Sequence, residues 1–318
     1  MDASISVERI EEAASVIDAV FLHSPQFFSE PLSKRLRVRT ALKVETVNPI
    51  RSFKGRGAAY LLHRLRGELD DRPIVCATAG NFGQGMAYAC RENDRRLTVY
   101  APHTANPLKL ERMKALGVKL ELEVGDFDQA KDAARRHAEA TGELFIEDGL
   151  VGAIGEGAGT MARELTEGFT PLDAIFVPLG NGSLVNGVGT WFKHRSPRTK
   201  VIAVCAAAAP SMALSFAARR SITAPSASIA DGIAVRVPVP EAVATMLDVV
   251  DDVMLVSDDE MLAAMRALHG DAGLVVEPAG AAGVAAIART AERFEGMHVA
   301  AIVTGGNLTE QQLRDWLY

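Results

Sequence analysis

Ser52-Phe53-Lys54-Gly55-Arg56-Gly57 sets a single lysine between a bulky aromatic and two glycines. Glycines let a backbone come close to a flat ligand, and a lysine in a partly desolvated pocket can react as the neutral amine. Such an amine condenses with a carbonyl to give a Schiff base, and the commonest biological use of that chemistry is pyridoxal phosphate. The competing reading is a solvated surface lysine after a glycine turn, which is what most lysines are. Other motifs along the chain must decide between the two.

Gly180-Asn181-Gly182-Ser183-Leu184 follows the apolar run Ile175-Phe176-Val177-Pro178 and precedes a helical pattern over 184–192. Strand, glycine loop and helix in that order aim backbone N–H groups at a phosphate, helped by the helix dipole. Val185 breaks the dinucleotide pattern GxGxxG, and the lysine of a P-loop is missing, so one small phosphate is the better match. The plain alternative is an ordinary strand-to-helix turn. Asn81 follows another apolar run at 73–77, where the alternative is a left-handed turn asparagine. Thr304 ends an apolar run at 300–303, and a helix cap competes as its reading. Glu277 precedes Pro278 and reads either as a site carboxylate or as a helix start.

Taken in order, these segments resemble one family. Asn48-Pro49-Ile50-Arg51-Ser52-Phe53-Lys54-Gly55-Arg56-Gly57-Ala58 is similar to the lysine motif of the threonine/serine dehydratases, which are fold type II (tryptophan-synthase-β-like) pyridoxal phosphate (PLP) enzymes. Thr78-Ala79-Gly80-Asn81-Phe82-Gly83-Gln84-Gly85 resembles their asparagine loop, and the segment at 180–184 their phosphate loop. Val276-Glu277-Pro278-Ala279-Gly280-Ala281-Ala282 and Thr304-Gly305-Gly306-Asn307 resemble two late motifs.

The resemblance implies PLP held by Lys54, which later takes the substrate α-proton. It implies cofactor contacts from Phe53, Lys54, Asn81, Gly180, Asn181, Gly182, Ser183, Leu184 and Thr304. Thr78, Ala79 and Gly80 would receive the substrate carboxylate through backbone N–H groups, Asn81 would be a substrate-binding residue beside them, and Glu277 would lie near cofactor or substrate. The implied layout is a large PLP-binding domain from 1–54 and 149–318 and a small domain over 55–148, with the cofactor in the cleft between them. A homodimer or larger homo-oligomer is also implied.

The implied reaction is β-elimination from a β-hydroxy amino acid, L-threonine or L-serine first, giving a 2-oxo acid and ammonia. Rival readings are a lyase for another β-substituted amino acid, such as 3-hydroxyaspartate or a compatible-solute breakdown product, and a β-replacement synthase. A protein that holds PLP without turnover is a third, from outside the enzymes. Several positions depart from the family pattern. Asn181 and Ser183 stand where glycine is usual, and Phe82 where many relatives carry histidine. Pro49-Ile50-Arg51 replaces the commoner Thr-Gly, and Glu147-Asp148-Gly149 replaces Pro-Phe-Asp, both able to reshape the substrate pocket. Ala79 occupies the position at which racemases use a serine, which disfavours racemisation. Neither Cys205 nor Ser211, at positions matching metal-binding carboxylates, is acidic, so no metal is expected.

These motifs need a frame. From about residue 70 onward, short apolar runs alternate with helical patterns, which argues for an α/β fold with parallel or mixed sheets flanked by helices. Helices are expected at 83–92 and 127–141, with Asn106-Pro107 starting another that Gly117 ends. The Ala/Ser-rich stretch 206–229, holding Pro210 and Pro225, reads as an irregular surface excursion or flap. At 318 residues the chain suits two lobes, and a net charge of −6 gives nucleic acid no electrostatic support. Three cysteines without CxxC spacing fit a reducing cytosol, and seven histidines show no zinc pairing. The acidic start lacks the charged and apolar regions of a signal peptide, so a cytoplasmic protein is expected.

Overall fold

Parallel strands need crossovers of a dozen or more residues, and helices that make those crossovers cover both faces of a sheet. A computed structural model describes residues 2–66, 72–169 and 171–318. The chain begins with α1 (Val7–Val16), β1 (Gln26–Phe28), α2 (Glu30–Leu36), β2 (Arg39–Val44) and α3 (Lys54–Arg64). Next come β3 (Ile74–Ala77), α4 (Asn81–Glu92), β4 (Leu97–Pro102), α5 (Pro107–Ala115), β5 (Lys119–Glu123), α6 (Phe127–Thr141) and β6 (Leu144–Ile146). Then follow α7 (Gly152–Gly168), β7 (Ala174–Pro178), α8 (Ser183–Arg195), β8 (Lys200–Ala206), α9 (Ser211–Ala218) and α10 (Pro240–Val249). The chain closes with β9 (Asp252–Val256), α11 (Asp258–Ala272), α12 (Pro278–Arg289), β10 (His298–Val303) and α13 (Glu310–Leu317).

Two sheets result. One has the order β5-β4-β3-β6, with every pair parallel. The other has the order β1-β2-β10-β7-β8-β9, parallel except for β1 against β2. Each sheet buries both faces. Phe176, Ile202 and Ala301 pack on one side of the larger sheet, and Ile175, Val201 and Ile302 on the other. No helix among the described residues is long and apolar enough to cross a membrane.

Local chemistry sets several element ends. Asp126 and Gln129 form a reciprocal capping box at the start of α6, and Gly142 closes that helix in the left-handed conformation (φ 73°). The expected span of 127–141 is the observed one. The stretch 206–229 differs from expectation, because it contains α9. Pro210 sits at the cap of that helix, where no N–H is required, and Ser211, Met212 and Ser215 are buried.

Around α3 lies a buried ionic network. The Arg56 guanidinium, fully buried, donates to Glu45 Oε2 (3.0 Å) and Oε1 (2.9 Å) and to Glu164 Oε1 (2.6 Å) and Oε2 (3.1 Å). It also donates to Thr160 and Ser24, while Lys43 donates to Glu164. Burial alone would lift the Glu164 carboxyl, but Arg56 and Lys43 outweigh it and hold the group down to about 2. A carboxyl depressed on folding stabilises the native state above its unfolded value, and that support is lost as pH falls towards about 2. The network ties α3 to the end of β2 and to α7.

Candidate active site

Pairing of β2 with β10 places Val44 opposite Val303, so the two strands end together. Beyond them the chain before α3 continues the contact. The Phe53 N–H donates to the Thr304 carbonyl (3.0 Å), and Ser52 bridges to Gly305. This register sets Lys54, the first residue of α3, beside Thr304. The ends of β3, β6 and β7 deliver Asn81, Asp148 and Ser183, and the turn before α12 delivers Glu277, to one cavity of about 140 Å³ that Lys54 and Thr304 also line. All the residues singled out in the sequence line it: Phe53, Lys54, Thr78 to Asn81, Gly180 to Leu184, Glu277 and Thr304.

Lys54 Nζ donates to Asp148 Oδ2 (2.6 Å) and Ser183 Oγ (3.3 Å). It lies 4.8 Å from the Phe53 ring centre and 5.7 Å from that of Phe82, so two aromatic faces flank the amine. The glycines after it serve a different purpose from the one expected. Both belong to α3, and neither makes room for a ligand. A Cβ at Gly55 would lie 2.2 Å from the Phe21 ring, and one at Gly57 would lie 2.6 Å from the Ile154 carbonyl. Gly85 on α4 would meet the Lys54 carbonyl at 2.8 Å. Glycine on both sides therefore lets α3 wedge between α4 and its other neighbours.

The loop at 180–185 has the donors a phosphate needs. Among the described residues, the N–H groups from Gly180 to Val185 make no hydrogen bond, and the first one bonded is Asn186, to Gly182 (2.9 Å). No side chain caps α8. Unpaired N–H groups at a helix start form an anion cradle, and this donor set fits the phosphate of PLP. Gly182 holds φ 99°, and a Cβ there would come within 2.9 Å of Ala242. Strain of that kind costs about 1–3 kcal/mol. The Gly182→Val protein should accordingly bind PLP at least about tenfold more weakly by absorbance titration, and unchanged affinity would remove the loop from the phosphate site.

The loop before α4 requires a correction in detail. The Thr78 N–H is taken by the Tyr100 carbonyl (2.9 Å), and the Gly80 N–H by the Thr78 hydroxyl (3.0 Å). Two of the three N–H groups proposed to receive a carboxylate are therefore engaged within the protein. Those of Ala79, Asn81 and Phe82 make no hydrogen bond among the described residues, and Asn81 and Phe82 start α4. The Asn81 amide donates to Glu277 Oε1 (2.9 Å) and accepts from Asn307 (2.8 Å). Glu277 is both the residue before the α12 proline and a buried site carboxylate. It also accepts from Lys109 Nζ (2.8 Å) and the Asn307 N–H (2.9 Å).

Sequence reading passed over Lys109, Asp231, Asn307 and Asp148 as site groups. Lys109 Nζ, nearly buried, pairs with Asp231 (2.8 Å) as well as Glu277, tying α5 to the opposite wall. Burial would lower its proton affinity, but Glu277 and Asp231 raise it above that of an ordinary lysine. Asp148 was visible only as a departure from a family pattern. Nothing local places it against a lysine 94 residues earlier.

The family described as "Pyridoxal-phosphate dependent enzyme" matches residues 21–305. The biosynthetic L-threonine dehydratase IlvA of Bacillus subtilis is 33% identical over 308 residues, covering 95% of this chain and 73% of that one. An L-threonine ammonia-lyase of Thermotoga maritima is 33% identical over 305 residues, covering 96% and 76%. Among solved structures, the processed form of threonine deaminase isoform 2 from Solanum lycopersicum superposes with a TM-score of 0.88 at 28% identity, covering 99% of this chain and 94% of that one. Maize serine racemase superposes with a TM-score of 0.90 at 27% identity, covering 98% and 96%.

Proposed function

The chain belongs to the family of pyridoxal-phosphate-dependent enzymes, and from that premise we propose that it is an ammonia-lyase for a β-hydroxy amino acid, L-threonine or L-serine first. The products are a 2-oxo acid and ammonia. One observation carries the assignment of roles: the Lys54 amine shares a cavity with an uncapped helix start whose N–H groups are free for a phosphate. When bound, PLP supplies the electron sink that makes the substrate Cα–H acidic.

The chain supplies the rest. Lys54 holds the cofactor and takes the α-proton, while Gly180, Asn181, Gly182, Ser183 and Leu184 seat the phosphate. Phe53 and Thr304 bound the ring, and Thr304, with a hydroxyl in place of a carboxylate, offers no fixed negative charge there. The substrate carboxylate meets the N–H groups of Ala79, Asn81 and Phe82. Ala79 has no exchangeable proton, which favours elimination over racemisation. In this reading the cofactor lies between a large domain (1–54 and 149–318) and a small one (55–148), each with its own sheet. The reading includes a cytosolic homo-oligomer, and a monomer by light scattering would remove that part.

The test is 2-oxo acid release from L-threonine and L-serine by the PLP-loaded protein. Release from either establishes the reaction and ranks the two substrates. No release from either, with PLP bound, would overturn both as substrates.

A further inference from the structure

Asp148 is the only carboxylate within hydrogen-bond reach of Lys54 Nζ among the described residues, at 2.6 Å, and it is 9% exposed. Its second oxygen, Oδ1, is buried with no hydrogen-bond partner among the described residues. A buried carboxylate oxygen left unpaired is destabilising. The structural carboxylates nearby leave neither oxygen bare: Glu164 accepts from Arg56, Lys43 and the His23 N–H, and Glu277 from Lys109, Asn81 and the Asn307 N–H. Asp148 is thus a poor device for stability and sits against the one amine the reaction uses.

The other charged groups of the cavity are engaged elsewhere. Lys109 pairs with Asp231 and Glu277, and Asp128 pairs with Arg236 (2.7 Å). Glu147, next to Asp148, pairs with Lys131 (3.1 Å) and Arg135 (2.9 Å). Asp148 is therefore the group that balances charge on Lys54.

We propose that Asp148 is the positioning carboxylate of the proton relay, holding Lys54 in place and stabilising it as the ammonium between two proton transfers. The proposal rests on the reading of Lys54 as the base. The Cα–H bond breaks, its proton passes to Lys54 Nζ, and its electron pair stays with the substrate. The Cβ–O bond then breaks as that pair forms the Cα–Cβ double bond, and the departing oxygen takes the same proton from Lys54 and leaves as water. Asp148 keeps its charge throughout.

The test compares Asp148→Asn with the wild type in two readouts. In the full-length protein without cofactor, Lys54 is labelled with acetic anhydride over a range of pH and quantified by peptide mass spectrometry. Lys119, exposed on β5, is the internal reference. Loss of the carboxylate should move half-maximal Lys54 labelling to lower pH by about one unit or more, with Lys119 unmoved. In the PLP-loaded protein, kcat should fall about 10–100-fold and its acid limb should move in the same direction. Asp148→Glu keeps the charge and should return the labelling towards wild type, and Asp148→Ser should shift it as asparagine does. Labelling that does not move in the uncharged variants, or a glutamate variant that behaves like them, overturns the proposal. Labelling requires no turnover, so the relay can fail while the lyase stands. Turnover by a protein lacking Lys54 would instead sink the reading of Lys54 as base.

Discussion

The Lys54→Ala protein is expected to release 2-oxo acid from L-threonine or L-serine at less than about a thousandth of the wild-type rate. On the proposed reading two functions are lost with one side chain, the covalent hold on the cofactor and the base for the α-proton. No other amine in the cavity can substitute. Lys109 is the second lysine lining it, but its ammonium is locked by Asp231 (2.8 and 2.9 Å) and Glu277 (2.8 Å) and gives up its proton less readily than an ordinary lysine.

A second variant separates charge from chemistry. Lys54→Arg keeps a cation beside Asp148, but a guanidinium cannot act as a neutral amine. It should fold like the wild type and be as inactive as the alanine protein. Retained turnover in either variant, by the 2-oxo acid assay, would show that the reacting amine lies elsewhere.

Replacing Arg56 by alanine is expected to lower stability by about 3–5 kcal/mol, because the change leaves two buried glutamates without their shared cation. Glu45 and Glu164 both face its guanidinium, and neither is solvated. Lys43 remains beside Glu164, so the damage concentrates at Glu45, where β2 ends. Lysine at position 56 keeps the charge but lacks the planar fork that serves both carboxylates at once, so it should recover part of the loss only.

Urea unfolding measures this directly, and a pH series adds a check on the sign. The gap between wild type and Arg56→Ala should be largest near neutral pH. It should narrow as pH falls from the ordinary carboxylate range towards about 2, where Glu164 takes up its proton. A loss under about 1 kcal/mol, or one independent of pH, would mean that the network is not what holds α3 in place. Arg56 lies two residues after Lys54 on that helix, so weaker PLP binding should accompany the loss.

Much of this molecule was legible along the chain because its signals are local. The helix at 127–141, the Asn106-Pro107 start of α5 and the strand-to-helix glycine loop are short-range chemistry, and each is read within a few residues. Lys54 and the 180–184 loop were picked out in the same way, whereas Asn81 and Thr304 came from the family resemblance. The first two strands and first three helices carry weaker patterns, and α9 hid in a run of alanine and serine that periodicity does not resolve. Arg56 looked like a bystander in a motif until its burial was known.

The sequence by itself determined most of the element order after about residue 70, because periodicity, caps and turn residues act between near neighbours. Its ordered motifs carried the family resemblance and the lysine proposed for the chemistry. Tertiary structure alone decided which distant groups face that lysine. It put Asp148 against Nζ, used Gly55 and Gly57 for helix packing, engaged the Thr78 and Gly80 N–H groups inside the protein, and joined Lys109 to Glu277 at the cavity wall. Those contacts follow from strand order and from the register of β2 on β10, which hydrophobic burial and sheet pairing settle for the chain as a whole and no local window contains.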